Sequence, residues 1–190
     1  GNLHDLFSNN MSKEIILNIF PQLKYFGRLK KISSLKPKSK DFDFVLILAL
    51  LIIDQSSDYE FFCHKYKTSN NIKNRLKNIA DNFENFNNKN FYSQTNIKKL
   101  IYLTNKKNVK DLLLFSMCLD NKIKNLNIED LIEYASNCNI PKFPISGDDL
   151  KEYGFTSGQI LGKKLKILEE TWIENNFEID KKNIEKYLSK

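Results

Sequence analysis

Apolar residues recur along this chain at spacings of three and four, and no stretch alternates apolar and polar residues for long enough to predict a strand. The pattern therefore predicts an all-α protein of about ten helices joined by short loops. A polar connector is expected at residues 36–40 and an asparagine-rich loop at residues 87–96. The predicted helices cover residues 15–20, 23–32, 44–53, 56–66, 69–86, 96–104, 108–120, 127–138 and 180–189, with two more forming a hairpin between residues 146 and 172.

Two helix starts carry recognisable capping residues. Asp41 or Asp43 is placed to cap the apolar helix that runs to Ile53, because a carboxylate accepts hydrogen bonds from the unpaired amides of the first turn. Ser146 with Asp149 three residues later predicts a capping box, in which each residue bonds the backbone of the other. This second cap places a short helix before the most glycine-rich part of the chain.

Residues 147–162 hold four of the six glycines and predict a hairpin of two helices. Gly154 stands where a helix C-terminus favours a left-handed residue. Gly158 stands at the start of the next helix, where unpaired N–H groups and the helix dipole favour a phosphate. Gly162 lies one turn later, where a missing side chain allows another backbone to approach. Three lysines follow at once: Lys163, Lys164 and Lys166. The hairpin is predicted to bind a nucleic-acid backbone; alternatively, the glycines only make a tight turn.

Positive charge is concentrated in one part of the chain. The formal net charge is +7, yet residues 61–110 carry eleven Lys and Arg against two acids, whereas residues 111–160 carry a net charge of −4. A local excess of this size favours a polyanionic partner, although a lysine-rich composition alone would also produce it. The candidate nucleic-acid contacts in this stretch are Lys67, Lys73, Arg75 and Lys77.

Four aromatic residues of the same stretch are interleaved with asparagines: Phe83, Phe86, Phe91 and Tyr92. Stacking on nucleic-acid bases is one use of such rings. Packing in the protein core is the interpretation that we favour.

The three cysteines, Cys63, Cys118 and Cys138, are widely spaced and show no pair at the spacing of metal ligands. An odd and sparse count argues against a disulfide framework and favours the reducing cytoplasm. No signal peptide is recognised, and the longest apolar run, residues 44–53, is too short to cross a bilayer. We therefore expect a cytoplasmic protein without a metal site or a membrane contact.

Catalytic motifs are weak. Asp41-Phe42-Asp43 superficially resembles a paired-carboxylate site, but the pair opens a helix and no phosphate-binding loop precedes it. The adjacent His4 and Asp5 lack the earlier histidine that a metal-dependent phosphohydrolase needs. His64 beside Cys63 lacks zinc partners. We expect no catalysis by this chain alone and no cofactor bound to it.

The segment from Pro141 to Leu150, followed by Gly154, Gly158 and Gly162, resembles the C-terminal region of bacterial class II CCA-adding tRNA nucleotidyltransferases, in the poly(A) polymerase-like superfamily. That family shows Pro-x-Phe-Pro-hydrophobic-x-Gly-x-Asp-Leu, then Gly-x-x-Pro-Gly-Pro-x-hydrophobic-Gly. The similarity covers about residues 15–188. Further matching pieces are Leu17 to Leu29, Lys67 to Asn70, Arg75 with Leu76, Leu100 to Tyr102, and Leu165, Leu168, Trp172 and Phe177.

The chain departs from the family pattern at three positions. Ser157 and Gln159 stand where the family has prolines, so the hairpin should be less rigid. Leu103 stands where an arginine is common, which implies one basic contact fewer. None of these changes removes a glycine.

The resemblance implies a function and a domain organisation. In the family, a catalytic head that uses Mg²⁺ adds C, C and A to tRNA 3′ ends, while an elongated helical neck, body and tail hold the tRNA. Residues 1–60 would be the end of the neck or the start of the body, residues 61–140 the body, and residues 141–190 a tail with a helix-hairpin-helix-like element. The head would be missing, and tRNA and that head would be the partners.

Two alternatives stay open. The first is a poly(A) polymerase of the same superfamily, because the specificity lies in the head. The second is a non-catalytic helical scaffold for protein interactions, whose basic charge would be incidental.

Overall fold

The structure is a computed structural model that describes residues 9–35, 41–119, 126–155, 158–180 and 184. Several features considered above lie outside this part of the chain. They are the His4–Asp5 pair, the connector at residues 36–40, Ser157, and most of the helix predicted at residues 180–189.

The described residues form ten α-helices and no strand, which confirms the predicted all-α class. Three short 3₁₀ segments accompany them, at Phe26–Arg28, Glu84–Asn87 and Lys89–Tyr92. The helices are α1 (Asn10–Ile19), α2 (Leu29–Ser34), α3 (Phe44–Ile52), α4 (Asp58–Lys65), α5 (Asn70–Asp81), α6 (Gln94–Leu103), α7 (Lys106–Met117), α8 (Ile128–Asn137), α9 (Gly147–Glu152) and α10 (Gln159–Glu174).

Helix α3 lies at the centre of the larger core, where seven of its nine residues are buried against α2, α5 and α7. Asp43 caps its start as predicted, because its Oδ1 accepts a hydrogen bond from the Leu46 N–H at 3.0 Å. Arg28 closes the other end by donating from Nη1 to the carbonyls of Leu50 and Ile53, at 3.2 and 2.7 Å. A cation at this end also complements the helix dipole. No helix among the described residues has the length and apolar content needed to span a bilayer.

The helix predicted over residues 69–86 is shorter in the structure. It begins after Ser69, but it ends at Asp81 and two 3₁₀ segments follow. This change of direction brings Phe83 and Phe86 onto Phe115, with ring centroids 6.3 and 5.6 Å apart. The spacing of apolar residues could not reveal the break, because 3₁₀ turns also place residues i and i+3 on one side.

The chain divides into two compact units, Gly1–Asn137 and Cys138–Lys190. The buried core of the second unit consists of Ile145, Leu150, Leu168 and Ile184. Trp172 is also buried there, between the rings of Phe143 and Phe177, at centroid distances of 5.3 and 4.9 Å. The assignment of residues 1–60, 61–140 and 141–190 to an elongated neck, body and tail stays a prediction.

Candidate nucleic-acid interface

The first helix of the hairpin, α9, begins with the predicted capping box. The hydroxyl of Ser146 accepts a hydrogen bond from the Asp149 N–H at 3.2 Å, and the Asp149 carboxylate accepts one from the Ser146 N–H at 2.6 Å. Both bonds satisfy amides that the first turn would otherwise leave unpaired. The capping box therefore sets where α9 starts and how the hairpin leaves the preceding segment.

Gly154 ends α9 in the left-handed conformation that the sequence predicts, with φ +85°. Its N–H donates to the carbonyl of Lys151 at 2.9 Å, and the N–H of Phe155 donates to that of Leu150 at 3.3 Å. These two bonds form a Schellman motif. Phe155 packs against the cluster that contains Leu150, so the chain is held as it turns towards the second helix.

Gly158 precedes α10 with φ +123° and ψ −161°, a region of backbone conformation that is almost restricted to glycine. No described side chain caps the first turn of α10. The first N–H groups of a helix have no intrahelical partner, so the start of this 16-residue helix offers open amide donors and the positive end of its dipole. Such an arrangement can bind an anion.

Gly162 is exposed one turn into α10. No described atom lies within 4 Å of the position that a Cβ would occupy there, and the same holds at Gly154 and Gly158. The close backbone approach predicted at Gly162 is therefore not made by any described part of this chain. The surface of the hairpin is open.

The three lysines after Gly162 differ in their surroundings. Lys163 is exposed, and no described carboxylate pairs with it, whereas Lys164 is half-buried and makes a contact of its own. Lys166 is 75% exposed, with its Nζ 3.8 Å from the Glu170 carboxylate. An exposed pair at this distance holds a lysine only weakly, so Lys163 and Lys166 are both accessible to an external anion.

Two exposed apolar residues on α10 were not anticipated from the sequence. Ile160 and Ile167 are 66% and 44% exposed. Together with Lys163 and Lys164 they occupy positions i, i+3, i+4 and i+7, with Ile160 first and Ile167 last. All four residues therefore share one side of the helix. The signal was present in the sequence, because these isoleucines fall outside the Leu161–Leu165–Leu168 series that faces the core.

Lys67, Lys73 and Lys77 lie on the surface of the first unit, as predicted. Lys67 has φ +49° at the end of α4, an uncommon conformation for a residue with a side chain, and it lines an apolar groove of about 540 Å³. Lys73 and Lys77 share a side of α5. Lys77 also forms an exposed ion pair with Asp81, at 3.0 Å.

Arg75 does not join this surface: its residue is only 6% exposed. Its Nε donates to Asp111 Oδ2 at 2.7 Å and its Nη1 donates to Asp43 Oδ2 at 2.7 Å. The Nη2 atom bonds the second oxygen of each carboxylate, at 3.0 Å in both cases. We therefore correct the sequence prediction, because a guanidinium enclosed by two carboxylates inside the unit is not available to an RNA phosphate.

The two carboxylates around Arg75 have different pKa shifts. Burial would raise the pKa of Asp43, but the hydrogen bonds from Arg75 and from the Leu46 N–H outweigh it and lower that pKa. Burial raises the pKa of Asp111 in spite of the opposing hydrogen bond from Arg75. Burial would lower the pKa of Arg75, yet its bonds to both carboxylates raise it further above its ordinary value. The guanidinium of Arg75 supplies the hydrogen bonds that oppose the rise in the pKa of Asp111.

The aromatic residues beside the basic stretch pack in the core, as favoured from the sequence. Phe86, Phe91 and Tyr92 are buried, and Phe86 meets the edge of Phe91 at a centroid distance of 5.3 Å. Phe83 is half-buried against Phe115. The faces of the three buried rings are not open to a base.

The paired aspartates at the start of α3 are engaged by cations of the protein. Asp41 accepts a hydrogen bond from Lys110 Nζ at 2.9 Å, and both oxygens of Asp43 bond Arg75. Within the described ranges, no three His, Cys, Asp or Glu side chains are grouped so that they could hold a metal ion. His64 is exposed on α4.

Comparisons with known proteins find one matching family and several similar proteins. The family model for tRNA nucleotidyltransferase domain 2 matches residues 40–188. The chain is 32% identical over 60 residues to CCA tRNA nucleotidyltransferase 1, mitochondrial, of Homo sapiens, which is 32% of this chain and 14% of that protein. It is 34% identical over 59 residues to the Danio rerio protein of the same name, covering 31% of this chain and 14% of that protein.

The matched region spans about 14% of the length of these curated relatives. The family match is broader, since it takes in most of the chain, including the hairpin and the basic stretch. The chain belongs to the tRNA nucleotidyltransferase domain 2 family.

Proposed function

We propose that this chain is the tRNA-binding C-terminal region of a CCA-adding tRNA nucleotidyltransferase of the bacterial class II type. The parent enzyme adds C, C and A to tRNA 3′ ends from CTP and ATP in the cytoplasm. The catalytic head of that enzyme, with its Mg²⁺, is not part of this chain. The single observation that carries the proposal is the open glycine hairpin of α9 and α10.

The hairpin supports backbone recognition rather than reading of base sequence. Gly158 leaves amide donors at the start of α10 uncapped, and Lys163 adds a charge one turn later. Structured RNA is bound mainly through its shape and its sugar-phosphate backbone, because its deep major groove is closed to side chains. The hairpin thus suits the sugar-phosphate backbone, which all tRNAs share whatever their base sequence.

The chain by itself is proposed to be catalytically silent. Asp43 caps α3 and bonds Arg75, and Asp41 bonds Lys110, so neither carboxylate is available to bind the metal ions of nucleotidyl transfer. In this proposal the chain is the part of the enzyme that holds the substrate, not the part that reacts with it.

We expect this chain to bind a tRNA transcript with an affinity that falls as salt rises from roughly 50 to 200 mM, and changing the exposed Lys163 and Lys166 together to Glu should weaken binding by about tenfold. The slope of log affinity against log salt should become shallower by about 2, since each lost phosphate contact removes about one unit. Filter binding across this salt range measures both quantities.

The matched control changes Lys13 and Lys30 to Glu, which alters the net charge equally at positions on α1 and α2. If the two double variants weaken binding equally, charge acts only in bulk and the hairpin is not the binding site. An absence of tRNA binding at low salt, or a flat salt response, would refute the proposed function itself.

Gly162→Ala separates stability from binding. Within a helix, alanine is favoured over glycine by about 0.5–1 kcal/mol, and no described atom obstructs the new methyl group. We therefore expect a higher free energy of unfolding together with weaker tRNA binding, because the methyl group would occupy space meant for an RNA backbone. Denaturant unfolding and filter binding measure the two effects.

Gly27→Ala is the control for Gly162→Ala, because the space at Gly27 is also open but lies in the other unit. Its tRNA affinity should stay unchanged. Unchanged tRNA affinity in Gly162→Ala would show that no backbone approaches this turn of α10.

A further inference from the structure

A small cavity of about 180 Å³ lies in the first unit, where the 3₁₀ segments after α5 meet α6. Its lining is unusual because it contains no charged side chain. Phe91 and Leu100 supply the apolar part. The polar part consists of five asparagines: Asn82, Asn85, Asn88, Asn90 and Asn96.

Three of these asparagines hold the backbone around the cavity. Asn82 Nδ2 donates to the carbonyl of Asn78 at 2.9 Å, and Asn96 Nδ2 donates to the carbonyl of Phe91 at 2.8 Å. Asn88 Oδ1 accepts from the N–H of Asn90 at 2.9 Å and caps the second 3₁₀ segment. These three hydrogen bonds therefore hold the backbone around the cavity in place, and a ligand could enter the cavity without breaking them.

The other two asparagines keep almost all of their hydrogen-bonding capacity. The side-chain amide of Asn90 bonds no described residue, and that of Asn85 makes only one bond, to Asn82 Oδ1 at 3.5 Å, the limit for such a contact. Each amide carries two donor hydrogens and an oxygen that can accept two bonds. The exposed amides of Asn85 and Asn90 thus present several donors and acceptors to whatever enters the cavity.

The chemistry of this lining selects a neutral, flat and polar ligand. A divalent cation would require carboxylates, and an anion would require a cation or a row of backbone amides, neither of which lines the cavity. Asparagine amides form paired hydrogen bonds with nucleobase edges, above all with N6 and N7 of adenine. A nucleobase fits these polar groups, and the half-buried Leu100 offers it an apolar contact.

The surroundings supply the charge that the cavity lacks. Lys89 lies between the lining residues Asn88 and Asn90, is exposed, and pairs with no described carboxylate. The stretch of residues 61–110 carries the +9 excess. A neutral cavity within a cationic surface suits a base that is tethered on both sides to phosphates.

We propose that this asparagine cavity binds an unpaired nucleobase of an RNA strand, with a preference for adenine. The proposal rests on the proposed function in taking RNA as the partner. The base contact in the cavity is separate from the backbone contact at the hairpin. The two differ in their salt dependence, because neutral side chains add affinity without adding to the salt dependence.

Nuclear magnetic resonance of the ¹⁵N-labelled full chain tests the proposal with two probes of equal charge. The probes are pentaadenylate and a pentamer of abasic ribose phosphates. The side-chain amide resonances of Asn85 and Asn90 should shift in a saturable manner with pentaadenylate and not with the abasic pentamer. Asn74, exposed on α5 away from the cavity lining, is the internal reference and should not respond to either probe.

Changing Asn85 and Asn90 together to Ala should weaken pentaadenylate binding by roughly tenfold, with the salt slope unchanged. Asn74→Ala is the matched control and should bind normally. Equal responses to the two pentamers, or an unchanged affinity in the double variant, would overturn the proposal.

The outcomes of the two assays are distinguishable. If tRNA binds but pentaadenylate leaves the asparagine resonances in place, the cavity proposal fails and the proposed function stands. If pentaadenylate shifts those resonances but tRNA does not bind, the proposed function fails and the cavity proposal stands.

Discussion

Replacing Arg75 with methionine is expected to lower the free energy of unfolding by about 3–5 kcal/mol at neutral pH, because it leaves the carboxylate of Asp111 buried without its cation. Methionine fills much of the same space, so the loss of stability reflects the missing charge more than an empty cavity. Asp111 is 5% exposed and makes both of its observed ion-pair bonds to Arg75. Urea unfolding of the full chain measures the effect.

The loss should depend on pH in a defined direction. Burial already raises the pKa of Asp111, and removal of Arg75 takes away the bond that opposes this rise. In the variant, Asp111 therefore has a higher pKa in the folded state than in the unfolded state. At pH values above the ordinary pKa of aspartate, the folded state then binds more protons than the unfolded state. Stability falls with rising pH under that condition, so the variant should be closest to the wild type in mild acid and furthest from it at neutral pH.

Two comparisons isolate the cause. Changing Arg75 to Met and Asp111 to Leu together should recover most of the lost stability, since an apolar pair can replace a buried ion pair at little cost. Lys77→Met on the same helix should cost less than about 0.5 kcal/mol, because the Lys77–Asp81 pair is exposed. A double variant as unstable as Arg75→Met would show that packing of the arginine stem, not charge, is responsible.

Features that depend on neighbouring residues were predictable from the sequence. Ser146 with Asp149 predicted the start of α9, and Gly154 predicted its end, because a capping bond or a left-handed residue needs only the local chain. Asp43 was placed correctly as the cap of α3 for the same reason. The position of the hairpin and the left-handed φ of Gly154 were therefore predictable.

Features that depend on distant residues were not predictable in this way. Arg75 and Lys77 look equivalent in the sequence, yet one is buried against Asp111 and the other is exposed. The signal that could have separated them is Asp111 itself, which stands at the head of the continuous apolar run from Leu112 to Phe115. A carboxylate joined to a buried run requires a buried cation, but the sequence does not say which of the 30 Lys and Arg residues supplies it.

The asparagine cavity also combines local features that the sequence predicts with a long-range arrangement that it does not predict. Asparagines at residues 87–96 predicted a loop, in keeping with their preference for turns, whereas residues 82–86 were predicted as the end of a helix. The structure instead shows two 3₁₀ segments, with capping bonds that fix the lining residues. That five amides converge on one cavity follows from the position of α6 relative to these segments, which the local pattern does not contain.

Replacing Trp172 with alanine is expected to unfold the second unit while the first stays folded. Removing a buried aromatic side chain costs about 3–5 kcal/mol, and a unit as small as Cys138–Lys190 has a stability of only about 3–8 kcal/mol. Trp172 is 2% exposed and contacts the rings of both Phe143 and Phe177. Hydrogen exchange followed by mass spectrometry should show lost amide protection in the second unit alone.

Binding gives this variant a second readout, because the hairpin belongs to the unit that Trp172 stabilises. Loss of protection should be accompanied by loss of the salt-dependent tRNA binding, even though no lysine has been changed. Trp172→Phe keeps an aromatic ring between Phe143 and Phe177 and should retain both the fold and the binding. If Trp172→Ala unfolds the second unit yet tRNA binds as before, the recognition surface must lie in the first unit, and the hairpin loses its place in the proposed function.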